Sequence, residues 1–484
     1  MAISASAETE LKLELTREAA EMLEASGLLP GDAQIIRQHA IYFDTPDQAL
    51  AELGLSLRVR LNGDRRVQTV KASSAASGLF VRSEWERDVE DDIPIIDDAT
   101  PIPTLIRKKA SRIAPLFAVE NERRLWTVEG IEIALDRGRI LAGERETSFC
   151  EIELEHKRGD PCALIGLAQS VNKIVPVRLG MLSKAERGYR LLGPLSTTAG
   201  AAPIKLSRDV NTAGAFQAIV LACLSHFQLN LASILERREP AALHQARVAL
   251  RRLRSAFSIH RPMLTDGRLE RLNDELRWLA GELAEARDLD VLIERTEEGP
   301  LREKLGDVRK KAYRGAVSAL QSERARAVMI DIVGWTMLGA WLRQPDNRGI
   351  RDLSAREFSA GRLDRYWRRV KRSGRNLEGL GDEARHELRK AAKKLRYAAE
   401  FFCALYDRKY EERRQKRFVA AVEALQSQLG AVNDLASTSR LLRELGLSND
   451  PAVGDPRGGP SKGELLKEAA GAYDDLIGAK CFWR

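Results

Sequence analysis

ETELKLEL, residues 8–15, sets a charge against a leucine at almost every second position. On a strand, Glu8, Glu10, Lys12 and Glu14 share one face, and Leu11, Leu13 and Leu15 share the other. Taken alone, this is an ordinary half-buried strand with a solvated face. The same device then recurs along the first 195 residues. LSLRVRLN (55–62), RRVQTVKAS (65–73), SEWERDVE (83–90), ERRLWTVEG (122–130), IEIALDRGRI (131–140) and SFCEIELEHK (148–157) all alternate. Two short helices are expected between them, over 17–26 and 160–172.

If these strands close into a barrel, one face of each points to a lumen. That face carries both signs of charge. Arg58 and Arg60 lie opposite Leu57, Val59 and Leu61, and Lys71 follows Val70. Glu84 and Glu86 flank Trp85, and Arg123 precedes Trp126 by three residues. Glu151, Glu153 and Glu155 alternate with Ile152 and Leu154, and Lys184 and Arg187 lie in LSKAERGYRLL. Such a lumen is no packed apolar core, because buried like charges are costly unless compensated. An oligophosphate together with a divalent cation compensates both signs. Clustered carboxylates hold hard cations through oxygen. Arg and Lys hold phosphate oxygens, Arg in bidentate fashion.

The ordered set of motifs resembles CYTH domains, also called triphosphate tunnel metalloenzymes. It comprises ExExK at 8–12, YFDTP at 42–46, SLRVR, TVK, ExE at 84–86, Arg-x-x-Trp at 123–126, CEIELE and SKAERG. The resemblance covers roughly residues 5–195 and implies an eight-stranded antiparallel β tunnel. It implies hydrolysis of a triphosphate-containing substrate with Mg²⁺ or Mn²⁺, by in-line attack of water on a terminal phosphorus. Glu8, Glu10, Glu151 and Glu153 match the metal ligands, with Asp136 or Glu155 in addition. Lys12, Arg58, Arg60, Lys71, Arg123, Lys184 and Arg187 match the phosphate cradle, with Arg124 the alternative to Arg123. Within these sets, Glu8, Glu10, Lys12, Arg58 and Arg60 are the expected catalytic core. No Ser/His/Asp arrangement offers another chemistry, and no P-loop motif occurs.

The texture changes after the Pro/Gly/Ser/Thr/Ala-rich stretch 193–203. The first 195 residues hold about 26 basic and 31 acidic side chains, and the remainder about 52 and 39. A mildly acidic half thus joins a strongly basic, helical one that attracts polyanions. Its helices repeat. HQARVALRRLRSAF begins at His244 and HELRKAAKKLRYAAEFF at His386. Each places an Arg three residues on (Arg247, Arg389) and a basic pair at seven and eight (Arg251/Arg252, Lys393/Lys394), then Arg254 or Arg396. Downstream, LAEARDLDVL (283–292) parallels LGAVNDLAST (429–438), with Asp288 opposite Asp434. A row of cations on one helix face repels itself, which an anion bridging the row relieves. This half resembles the CHAD domain, the conserved histidine α-helical domain, over roughly 205–445. That resemblance implies two similar helical bundles that bind inorganic polyphosphate. His244, Arg247, Arg251, Arg254, His386, Arg389, Lys393 and Arg396 would contact phosphates, the two histidines either touching phosphate or bracing the helices.

The expected architecture is therefore multidomain α+β. A tunnel occupies 1–195, a linker 196–204, and an all-α domain of two pseudo-symmetric bundles 205–484, with repeat units of about 205–345 and 346–484. The segment 448–463, rich in Pro and Gly, reads as a flexible loop. The five cysteines are scattered and never form CxxC, which argues against a disulfide scaffold or zinc ribbon and for a reducing compartment. Residues 213–235 are uncharged but interrupted by Gln217, His226, Gln228 and Asn230, so they read as a buried helix rather than a span. With no signal peptide visible, the expectation is a cytoplasmic protein, associated with polyphosphate, with no membrane or nucleic-acid partner. The leading function is an inorganic triphosphatase with a polyphosphate-binding module. The alternatives are a thiamine or nucleoside triphosphatase, a class IV adenylyl cyclase, and a non-catalytic polyphosphate-binding protein.

Overall fold

The structure, a computed structural model, describes residues 9–72, 83–194, 196–444 and 461–484. Glu8, Ser73 and most of the 448–463 segment lie outside the described residues, as does the Asp434 side chain. The chain forms two compact units. The first holds Met1–Thr197 and Gln321–Gly339, the second Thr198–Leu320 and Ala340–Arg484.

The first unit is built on one antiparallel sheet. Its strands are β1 (Thr9–Glu14), β2 (Gln34–Asp44), β3 (Leu55–Asn62), β4 (Arg65–Ala72), β5 (Ser83–Val89), β6 (Ala114–Val128), β7 (Ile131–Ala142), β8 (Arg145–His156) and β9 (Arg178–Leu179). They lie in the order β5-β4-β3-β2-β6-β7-β8-β1-β9. Among the described residues the sheet therefore has nine strands rather than eight. The extra one is the two-residue β9, which pairs with β1 at its edge. Among the described residues β5 and β9 do not pair, so no ladder closes the tunnel. Two elements exceed the sequence reading. Strand β2 has no clean alternation, because Gln38, Ala40 and Tyr42 face the lumen while His39 and Ile41 face away. Strand β6 starts eight residues earlier than its charged motif.

Helices α1 (Arg17–Ala25), α2 (Ala49–Glu52), α3 (Ile102–Ile106), α4 (Ala163–Ile174) and α5 (Lys184–Leu192) complete the first stretch, against the two helices expected. Helix α5 packs on β6, β7 and β8 and fills one part of the lumen with apolar side chains. Ala185 and Leu191 join Ala40, Tyr42, Phe117, Val119, Ile140 and Phe149 in one core cluster. Gly188 permits this approach, since a Cβ there would lie 2.2 Å from the Phe117 ring. The YFDTP motif anchors the same helix. Asp44 is fully buried, caps α2 by accepting from the Leu50 and Ala51 amides, and accepts from the Tyr189 hydroxyl at 2.9 Å.

The remaining helices are α6 (Thr212–Arg237), α7 (Pro240–His260), α8 (Arg268–Glu282), α9 (Ala284–Glu294), α10 (Pro300–Gln321), α11 (Glu323–Leu338), α12 (Arg348–Arg351), α13 (Ala355–Ser373), α14 (Asp382–Phe401), α15 (Lys409–Glu444) and α16 (Lys462–Gly478). All belong to the second unit except α11, which packs on α4 of the first. There Gln169 donates to the Ala327 carbonyl and to Asp331, both at 3.0 Å. In the second unit α6 packs on α7, α13 on α14, and α7 meets α14. The uncharged stretch forms α6, whose Asn211 cap accepts from the Gly214 amide. Helices Thr212–Arg237 and Glu323–Leu342 are long and apolar enough to cross a membrane, yet 61% of each apolar window is buried within the fold.

Candidate active site

Strand pairing brings the charges together before any side chain is considered. Lys12 lies opposite Glu153 and Glu10 opposite Glu155 across β1 and β8. Asp136 lies opposite Glu151 across β7 and β8, and Arg123 opposite Asp136 across β6 and β7. On the other flank Arg58 faces Thr69, which faces Glu86, and Lys71 faces Glu84. Period-two geometry then points all of them to one side.

Three carboxylates form the centre. Asp136, Glu151 and Glu153 offer oxygen atoms within 4.8 Å of one another. The first two are fully buried. The Lys184 ammonium touches all three, at 2.7 Å from Asp136, 2.5 Å from Glu151 and 3.3 Å from Glu153. Arg123 grips Asp136 through Nε at 2.8 Å and Nη2 at 2.6 Å, and reaches Glu153 at 2.5 Å. Lys12 contacts Glu153 at 2.8 Å and Glu151 at 3.6 Å. Asn121 donates to Asp136 at 2.8 Å, and Arg187 pairs with Glu14 and Glu151. Burial works against every charge here, but the opposite charges win. It pushes the Lys12 and Lys184 ammonium groups down, while Glu151 and Glu153 raise them above the usual lysine value. It likewise pushes Asp136 and Glu153 up, while the lysines and Arg123 hold both below the usual carboxylate range.

Beside this cluster lies a cavity of about 240 Å³. Glu10, Lys12, Arg58, Arg60, Lys71 and Arg123 line it, together with Glu84, Glu86, Glu153, Glu155 and Lys184. Lys71 is paired with Glu84 at 2.9 Å, and Glu86 accepts from Thr69. Arg58 and Arg60 differ. Neither forms an ion pair among the described residues, and the Nε of each is buried without a partner. Among the described residues Arg58 has only the Tyr42 hydroxyl as a hydrogen-bond partner, at 3.5 Å. Arg60 is pushed down to about 10 by Arg58 first, then by burial and Arg123.

Of the six expected metal ligands, Asp136, Glu151 and Glu153 converge. Glu10 and Glu155 line the cavity outside the trio, Glu155 paired with Lys157 at 2.7 Å. Of the expected cradle, all but Arg187 line the cavity. Arg124 faces the other way, to Glu24 and Glu122. Sequence reasoning missed Gln38, Tyr42 and Asn121 in the lining, for which only motif position offered a signal.

The second unit carries a separate cationic cavity of about 410 Å³. Arg251 and Arg254 of α7 meet Lys390, Lys393 and Lys394 of α14 there, with Arg369 of α13. A wider groove of about 1080 Å³ adjoins it, along Arg362, Arg365, Arg369 and Arg372. These α13 arginines were also missed, although their spacing places them on one helix face. Five repeat residues stand elsewhere. Arg247 reaches the Ala280 carbonyl at 3.4 Å, and Arg396 pairs with Glu400 and Glu423. His386 is exposed outside both linings. His244 is pushed down to about 4 by burial and by Arg287, Arg251 and Arg247, so it is neutral at pH 7. Arg389 lies outside both linings as well.

Comparison with known proteins separates the same two regions. Residues 6–189 match the CYTH domain family, and residues 218–443 match the CHAD domain family. An inorganic triphosphatase of Haemophilus influenzae is 32% identical over 162 residues, covering 31% of this chain. The match spans 44% of that relative's length. An uncharacterized protein of Mycobacterium tuberculosis is 26% identical over 408 residues, covering 74% of this chain and 75% of that one. The crystal structure of the CHAD domain from the plant Ricinus communis superposes with a TM-score of 0.49 at 28% identity. It covers 59% of this chain and 98% of that one.

Proposed function

Because the chain carries a CYTH domain followed by a CHAD domain, we propose that its tunnel unit hydrolyses inorganic triphosphate to pyrophosphate and phosphate with Mg²⁺ or Mn²⁺. One observation supports this above the others. Two guanidiniums without ion-pair partners among the described residues, Arg58 and Arg60, face a cavity beside a buried carboxylate trio. Buried donors left unsatisfied are costly, so their presence marks a place for an anion. The trio's donors are all carboxylate oxygens, the type that hard divalent cations take. Asp136, Glu151 and Glu153 would hold the metal, and Glu153 lines the cavity together with Glu10 and Glu155. The metal, when bound, supplies charge neutralisation and a more acidic water. Arg58 and Arg60 grip the phosphate oxygens, and Lys12, Lys71 and Arg123 add positive charge where the leaving pyrophosphate develops its own. Tyr42 is the one aromatic among the described residues of the lining, and its ring is already stacked on Phe117 at 4.8 Å. That favours an inorganic substrate over one with a base or thiazole to stack.

The helical unit, on the same reading, binds inorganic polyphosphate along Arg251, Arg254, Arg369, Lys393 and Lys394. His244, being neutral, contributes little to that charge.

The test is orthophosphate release from tripolyphosphate by the full chain, with Mg²⁺, with Mn²⁺ and with chelator. ATP and thiamine triphosphate are run in parallel. Metal-dependent release, fastest on tripolyphosphate, is expected. Faster turnover of ATP would move the reading to a nucleoside triphosphatase.

A further inference from the structure

The ammonium group of Lys184 sits where the trio's charge is most concentrated. It contacts Asp136, Glu151 and Glu153 together, and among the described residues no other cation touches all three. We propose that Lys184 is a displaceable internal counter-ion, which neutralises the trio until a divalent cation is bound and then turns to the substrate. The inference rests on the metal-assisted reading above.

The neighbouring cations are fixed in ways that Lys184 is not. Arg123 is locked to Asp136 by two nitrogen contacts. Lys12 stands within a strand, and its stem is wedged against Gly180, where a Cβ would come 2.5 Å from Lys12 Cγ. Lys184 instead opens α5, directly after the Ser183 cap, whose side chain and backbone are tied to Glu186. That cap holds the backbone, and the lysine's four-carbon stem carries the rotatable bonds on which the ammonium can swing. A cation at a helix N-terminus also gains nothing from the helix dipole, so the trio, with the Phe149 ring 5.2 Å from the ammonium, holds it in place. The same side chain lines the cavity between Ser183 and Ala185, so it has somewhere to go. A divalent cation and an ammonium both need these oxygens, and like charges in so small a buried space exclude one another. Lys184 therefore weakens metal binding in the absence of substrate, by the fraction of time that it occupies the trio.

The experiment titrates Mn²⁺ into the full chain by calorimetry, without phosphate, for the wild type and for Lys184→Gln. The variant is expected to bind Mn²⁺ roughly ten-fold tighter, and to gain more in unfolding temperature from Mn²⁺ than the wild type gains. Equal or weaker binding by a folded variant overturns the proposal while leaving the metal-assisted reading intact. If neither protein binds Mn²⁺, with or without tripolyphosphate, both fall. Should Lys184→Gln fail to fold, amine acylation of wild-type Lys184, read by mass spectrometry, decides instead. Faster labelling with Mn²⁺ supports displacement, and unchanged or slower labelling overturns it.

Discussion

A protein carrying Arg58→Ala and Arg60→Ala is expected to unfold at a higher temperature than the wild type while losing its affinity for tripolyphosphate. The two guanidiniums sit two residues apart on one face of β3, half-buried and, among the described residues, without ion-pair partners; burial pushes Arg58 down but Tyr42, Glu84 and Glu86 hold it above its usual value, so the cost falls on Arg60. Arg60 is held at about 10 chiefly by Arg58, then by burial. A guanidinium stays charged at working pH, so this depression is a standing cost to the fold, on the order of 1–3 kcal/mol. The sign follows from linkage. The folded value lies below the unfolded one, so the penalty is complete at every pH below about 10 and fades only above it. Alanine removes the penalty. It also removes the fork-shaped donors that grip phosphate, a loss of about 10³-fold in affinity at about 2 kcal/mol for each arginine's charge-assisted hydrogen bonding. Scanning calorimetry and titration with tripolyphosphate check the two halves. A fall in unfolding temperature with affinity unchanged would mean that these arginines brace the sheet.

Adjacent arginines on α7 should behave in opposite ways. Arg252→Ala is expected to cost about 3–5 kcal/mol of stability, read by chemical denaturation of the full chain. Arg251→Ala should stay within about 0.5 kcal/mol of wild type, yet weaken long-chain polyphosphate binding and flatten its salt dependence. Arg252 is 7% exposed, ion-paired with Glu400 of α14, and lies over the Phe401 ring at 5.0 Å. It ties one repeat helix to the other. Arg251 lines the cationic cavity. If Arg252→Ala left stability unchanged, the pairing of α7 with α14 would not depend on this contact.

That pair also shows where sequence reading stops. The repeat aligned Arg252 with Lys394 and put neither among the residues expected to contact phosphate. In the fold Lys394 lines the cavity while Arg252 is buried beneath it. The reason is asymmetric packing. Two copies of a helix that pack on each other place equivalent positions in different surroundings, and no spacing rule reports that. The tunnel strands were more legible. Period-two alternation fixes which side a residue faces, and Arg58, Arg60, Lys71 and Glu153 all followed from it. Alternation could not rank Glu151, Glu153 and Glu155, which share a face. Depth along the strand separates them. Glu151 is fully buried beside Asp136, whereas Glu155 stands further out, with Lys157. Strand β2 escaped notice because a lumen-facing strand need not alternate apolar with polar. The link from Tyr189 to Asp44 joins residues 145 apart in sequence, a distance that only the fold closes.

The most direct test of the account compares orthophosphate release from tripolyphosphate by the wild type and by Glu153→Gln, with Mn²⁺ present and excess long-chain polyphosphate added to occupy the helical unit. Glu153 belongs to the trio and touches the cavity, and the substitution keeps its shape while removing its charge. The account predicts steady release by the wild type and its loss in a folded Glu153→Gln protein. Undiminished release by that variant, or none from the wild type under any metal, would contradict the placing of triphosphate hydrolysis at this site.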